Sequence, residues 1–157
     1  MSTDRQGGSV MDSFEAQLLG ELERLRVETG SDVAAYAAPA RRSPLWGWVR
    51  VAGEVGRRFV RMAVQPGRGL VGAALRTGRA VVLDRHRDAA DLRREDAALL
   101  LTERLIAAAA APVLRDGHAV GLLLLASRRE RDYGVDDVRL LTESALRLGE
   151  TSVAGTM

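Results

Sequence analysis

Apolar positions along the chain recur now every 3.6 residues and now every 2, and each change of period marks an element boundary. Leu18, Leu19, Leu22, Leu25 and Val27 follow a capping box of Asp12 and Glu15 and stop at Gly30, which predicts a first helix over 12–30. "SDVAAYAAP" predicts a strand closed by Pro39, "RRSP" a turn, and "LWGWVRVAG" a second strand with Trp46, Trp48 and Arg50 on one face. "RRFVRMAVQ" predicts a third strand ending before Pro66, "GLVGAALRTG" a helix of under three turns, and "RAVVLD" a fourth strand. "REDAALLLTERL" predicts a helix. "IAAAAAPVLRDG" and "HAVGLLLLASR" predict a β-hairpin about Asp116-Gly117, and "GVDDVRLLTESALRLGE" a closing amphipathic helix with Val138, Leu141 and Ala145 inward. The order α-β-β-β-α-β-α-β-β-α describes an α+β domain on a mainly antiparallel sheet.

A length of 157 residues suits one domain. Residues 1–11 are small, polar and glycine-bearing and are expected to be a disordered lead-in, 12–150 the domain, and 151–157 a flexible tail. The start of the chain carries Asp4, Asp12 and Glu15 and no apolar run, so it is not read as a signal peptide. The longest apolar run, Leu105 to Val113, is too short to span a bilayer, and a cytosolic protein without membrane attachment is expected.

Charge and residue usage narrow the chemistry. Every one of the 23 basic residues is Arg, Asn is missing and Ile106 is the lone isoleucine, a pattern of codon bias in a GC-rich genome. With a net charge of +2 and arginines interleaved with acids in "RRED" and "RRERD", direct nucleic-acid binding is not expected. Zero cysteines remove disulfides, thiolate metal sites and cysteine nucleophiles. His86 and His118 do not pair as metal ligands; His118 is expected at the surface of a hairpin, and His86, in "DRHRD", in a solvated loop, with axial haem ligation as the alternative. Asp136 and Asp137 sit in the first turn of the last helix, where they complement its dipole, so no acid/base pair and no enzyme is expected.

Within "QPGRGLVGAALRTGRAVVLD", Gly67, Gly69 and Gly72 match Gly-x-Gly-x-x-Gly, with Asp84 downstream where a ribose-binding acid would fall. A dinucleotide fold needs a strand running tightly into that turn and a helix long enough to cross over to a parallel neighbour. Here Pro66 directly precedes the first glycine, the helix lasts about nine residues, and no second βα unit follows. The pattern is read as turn and packing glycines.

"PGRGLVGAALRTGRAVVLD" followed by "AAAPVLRDGHAVGLLLLASRRERDYGVDDVRLLTESA" resembles a GAF domain over about residues 14–150. The resemblance implies a GAF/PAS-like α+β fold: a central six-stranded antiparallel sheet, the terminal helices on one face, short helices and loops closing a ligand pocket on the other. Within the family, "WVRVAGEVGRRFVR", "PGRGLVG" and "AALLLTERLIAAAAAPV" are most similar to the stand-alone nitrate receptors of the NreA type. That likeness implies one nitrate ion held by Trp48, by Leu70 and Val71 at the helix opened by Gly69, and by Ala97, Ala98 and Leu99; the last three depart from the family's Tyr-Pro-Ile-like pattern and make a smaller lid. It also implies signalling by contact with a sensor histidine kinase. The exposed faces of the first and last helices are expected to serve as that contact or as a homodimer seam.

Physical chemistry agrees with an anion at those positions. The first amides of a helix lack intrahelical partners and sit at the positive end of its dipole. An indole N–H only donates. Neutral donors without an arginine fork favour a weakly hydrated monovalent anion over sulfate or phosphate. No cofactor and no metal is expected. GAF domains that reduce free methionine sulfoxide or attach bilins use cysteines, and the Asn-Lys-Phe-Asp-Glu type signature of cyclic-nucleotide GAF domains is absent here. The alternatives are a GAF module without ligand that serves interaction or dimerisation, and a sensor of haem or an organic metabolite.

Overall fold

The computed structural model describes residues 2–83, 100 and 102–156, with side chains from 13 to 151 within that set. The chain runs α1 (Ser2–Thr29), β1 (Val33–Pro39), β2 (Trp46–Ala52), α2 (Arg57–Arg61), β3 (Ala63–Val64), α3 (Gly69–Thr77), β4 (Val81–Val82), β5 (Ala107–Arg115), β6 (His118–Ser127) and α4 (Val135–Thr156). The strands form one antiparallel six-stranded sheet in the order β3-β2-β1-β6-β5-β4. This is the predicted α+β fold.

The three central strands are buried on both faces, which is why "VAAYAA", "AAAAAPV" and "LLLLA" are almost continuously apolar. Alternation divides their side chains. Ala34, Tyr36, Ala109, Ala111, Val113, Leu123 and Leu125 meet Leu18, Leu22 and Leu25 of α1 and Leu141, Ala145 and Leu148 of α4. Val33, Ala35, Ala37, Ala108, Ala110, Leu122 and Leu124 meet Phe59 of α2 and Leu70, Val71 and Ala74 of α3. The alanines of β5 are small enough to let helices approach closely from both sides.

Several elements differ from the pattern-based expectation. Helix α1 begins at Ser2, not at Asp12, and α4 continues to Thr156, past the predicted end near 150. "RRFVRMAVQ" is not one strand: residues Arg57–Arg61 make a helical turn and only Ala63–Val64 pair with β2. The Gly56 amide donates to Glu103 Oε2 at 2.8 Å, and Arg128 Nη2 donates to the Glu54 carbonyl at 2.8 Å, so distant side chains satisfy the backbone that a longer strand would have had to pair. Arg50 does not share the tryptophans' face. Tyr36 pairs with Arg50 and Ala37 with Trp48, leaving Val49 as an extra residue in β2. This bulge turns Arg50 toward α1, where it donates to Glu15 Oε2 at 3.2 Å.

The β5–β6 hairpin turns at Asp116 (φ 52°) and Gly117 (φ 80°), both left-handed as a two-residue primed turn requires, and His118 is exposed beside it. Leu141 and Ala145 are buried as expected, with Val138 half-buried. The terminal helices are joined by Glu21, which accepts from Arg147 Nε and Nη2 at 2.8 and 3.0 Å. Beyond β6, the Tyr133 hydroxyl lies 2.8 Å from Ser31 Oγ and 2.9 Å from Ser127 Oγ, satisfying a buried phenol. No helix among the described residues is long and apolar enough to cross a membrane.

Candidate functional site

The face of the sheet opposite the terminal helices carries the candidate site. Trp48 projects from β2 into the apolar cluster that holds Phe59, Leu70, Val71 and Leu100. Its ring stacks on Phe59, with centroids 5.4 Å apart and planes 14° from parallel. The short α2 turn makes this contact possible, because it brings Phe59 beneath the indole while its neighbours stay in solvent. Trp48 Nε1 is buried and has no hydrogen-bond partner among the described residues. A buried N–H left so is costly, by about 1–3 kcal/mol, and buried indole donors usually find an acceptor.

Helix α3 supplies the second part. Gly69 opens it at φ 62°, a left-handed conformation that lets the chain reverse from the "QPGR" turn into the helix. Gly72 lies so close to that turn that an added Cβ would come within 2.7 Å of the Gly67 carbonyl carbon, so the turn packs directly on the helix backbone. The Gly72 amide donates to the Arg68 carbonyl at 2.8 Å. Arg68, at the N-cap, gives the helix no side-chain cap, and the first turn carries no acid, so no carboxylate of α3 itself offsets the positive end of the dipole. Leu70 and Val71 are each only 3% exposed, and they bring that helix end into the same cluster as Trp48.

Of the residues expected at the site, the structure therefore brings together Trp48, Gly69, Leu70 and Val71. Ala97, Ala98 and Leu99 lie outside the described residues, as do His86, Asp84 and most of the helix predicted over 94–105. Sequence reasoning missed Phe59. With only two phenylalanines, two tyrosines and two tryptophans in the chain, an aromatic eleven positions after Trp48 was the available signal. It also missed the clamp between Arg128 and Glu103, where the guanidinium donates to the Glu103 carbonyl and to Oε1, each at 2.9 Å. Thr102 Oγ1 lies 3.4 Å from Met62 Sδ, tying the end of α2 to the segment before β5.

Other chemistry is sparse. No group of three or more His, Asp or Glu is arranged for a metal among the described residues. Tyr36, pushed up to about 12 by burial, stays neutral, and burial raises Tyr133 as well, against hydrogen bonds from Ser127 and Ser31. A separate cleft of about 90 Å³ lies on the terminal-helix face, bordered by Ala80, Ala111, Pro112, Leu114, Ala145 and Leu146, away from Trp48.

Comparison with known proteins places these features. The family model described as "GAF domain" matches residues 13–150. A hypothetical protein, SA1058, from S. aureus is 31% identical over 71% of this chain and 92% of its own, with a TM-score of 0.58. An NreA protein from Staphylococcus aureus mutated in its nitrate binding site is 29% identical over 79% of this chain and 91% of its own, with a TM-score of 0.62. The GAF domain/HD domain protein from Geobacter sulfurreducens superposes more fully, at a TM-score of 0.73 over 96% and 97%, but is 15% identical and speaks to the fold alone. No curated protein shows significant similarity.

Proposed function

Since the chain belongs to the GAF family, whose members are typically ligand-binding regulatory domains, we propose that it is a receptor for a small monovalent anion, nitrate first, and not an enzyme. The observation that carries this reading is the buried Trp48 N–H with no acceptor among the described residues, in the same cluster as Leu70 and Val71 of α3, whose first turn carries no acid of its own. An acceptor-only ion there accepts a hydrogen bond from the indole N–H and lies toward the positive end of the helix dipole. The similarity to an NreA protein with a nitrate binding site supports the same ion. In this reading Trp48, Gly69, Leu70 and Val71 form the described part of the site, and Ala97, Ala98 and Leu99 its small lid.

The bound state passes by contact to a partner, a sensor histidine kinase in the cytosol, with the outer faces of α1 and α4 as contact or homodimer surface. Isothermal titration with nitrate, nitrite, chloride, sulfate and phosphate at matched ionic strength tests the ligand. Saturable heat with nitrate, weaker with nitrite and chloride and none with the divalent ions, is expected; equal binding of sulfate or phosphate, or no heat at all, overturns it. Crosslinking in cells that recovers no kinase overturns the partner assignment alone.

A further inference from the structure

Charge is distributed unevenly along this chain. Residues 40–83, which contain β2, α2, β3, α3 and β4, hold nine arginines and a single acid, Glu54, a net of +8; since the chain carries +2, all other residues sum to −6. The interleaving of arginines with acids in "RRED" and "RRERD" does not extend to this segment. Codon bias explains arginine in place of lysine but not the loss of acids, which elsewhere number 20 in 113 residues; at that density about eight would fall in 40–83. Concentrating like charge costs stability through self-repulsion, which points to a use for the field.

The α2 turn is where this charge meets the site. Arg57, Arg58 and Arg61 are all exposed and none makes an ion pair among the described residues, whereas Arg50, in the same segment, is turned by the β2 bulge to Glu15 on the other face. Phe59, between them, is fully buried against Trp48. One helix diameter, ~10 Å, therefore sets the scale of distance between these guanidinium groups and the indole.

We infer that Arg57, Arg58 and Arg61 are specificity-determining residues that act as an electrostatic collector, raising the concentration of small anions at the Trp48–Phe59 stack and repelling cations from it. The donors of the site are neutral, so they select by hydrogen bonding; the arginines supply the long-range attraction that neutral donors lack. The purpose assigned to this field rests on the anion-receptor reading, but the field itself is measurable without it. Three unit charges at ~10 Å in water, screened over Debye lengths of ~30 Å at 0.01 M salt and ~8 Å at 0.15 M, enrich a monovalent anion about fourfold and about twofold respectively.

The test uses collisional quenching of Trp48 in a Trp46→Phe background, in which Trp48 is the sole indole, since the chain has two tryptophans. Iodide, neutral acrylamide and caesium are compared at fixed ionic strength in this protein and in its Arg57→Gln/Arg58→Gln/Arg61→Gln variant. The expected result is an iodide-to-acrylamide quenching ratio that falls about fourfold in the variant at ~0.01 M salt and about twofold at ~0.15 M, with the caesium ratio moving the opposite way and acrylamide unchanged. Should the triple variant fail to fold, each single substitution is expected to lower the ratio about 1.6-fold at low salt. A ratio unaffected by the substitutions, or no iodide quenching in any protein, overturns the inference. Stopped-flow nitrate binding on the same proteins separates the two readings: a charge-dependent iodide ratio without nitrate binding removes the receptor and keeps the collector, and nitrate binding at a rate indifferent to the arginines does the reverse.

Discussion

Trp48 concentrates the functional question in one atom. Its ring is held by stacking on Phe59, so the rigid part of the side chain needs no ligand, whereas its Nε1–H is buried without an acceptor among the described residues. Trp48→Phe keeps the stack and deletes the donor. The expected outcome is a nitrate Kd weakened about 10- to 100-fold, the value of one hydrogen bond to a charged acceptor, about 1.5–3 kcal/mol. A ligandless module predicts no such change, and titration calorimetry on the variant distinguishes the two. Trp48, Gly69, Leu70 and Val71 were singled out by the likeness of their segments to nitrate receptors of the NreA type, and an aromatic strand position and a Pro-Gly-x-Gly turn are local signals that carry such a likeness. Phe59 was not, since its partner lies across a turn whose shape depends on Glu103 and Arg128, 47 and 74 residues from the backbone groups they hold.

At the scale of elements, contact between the α3 backbone and the turn before it sets the position of the start of α3. Gly72→Ala would place a methyl group within 2.7 Å of backbone at Gly67, and neither side is a flexible side chain. Overpacking of this kind costs about 1–3 kcal/mol, and the variant is expected to lose that much stability in urea and to bind nitrate more weakly than its remaining folded fraction explains. The α1–α4 contact offers a pH-dependent counterpart. Burial raises the Glu21 carboxyl, but hydrogen bonds from Arg147, Ser144 and Arg24, with the Arg147 charge, outweigh it and hold the group below its ordinary 4.5. A folded-state value below the unfolded one means stability present above pH 4.5 and lost as pH falls through the lowered value. Glu21→Gln should therefore cost about 1–2 kcal/mol at pH 7, less than the ~3–5 kcal/mol of a wholly buried pair because Arg147 is 41% exposed, and the difference from the parent should vanish in acid. Chemical denaturation between pH 7 and pH 3 measures it.

For the whole molecule, a ligand that binds only the folded state adds stability by mass action, about 2.7 kcal/mol at one hundred times its Kd. A domain of about 150 residues then melts about 5–10 °C higher, and nitrate at matched ionic strength is expected to give this shift while sulfate and phosphate give none. A uniform rise with every salt would instead report screening of the crowded arginines in residues 40–83, whose net charge of +8 opposes compaction.

The sequence by itself determined the central strands, the hairpin at Asp116-Gly117, the amphipathic closing helix and the glycine turn before α3, because each depends on residue patterning or backbone freedom within a few residues. It also determined the family, through motifs spread over residues 13–150. The tertiary structure decided the rest. The bulge at Val49 sent Arg50 to the helix face, because register is fixed by pairing with β1 and not by β2 alone. Side chains from the other end of the chain made "RRFVR" a helical turn, and that turn put an aromatic floor under Trp48 with three arginines beside it. Local patterning specifies which face of an element is apolar; only the packed sheet specifies which two faces meet, and the candidate site lies where they do.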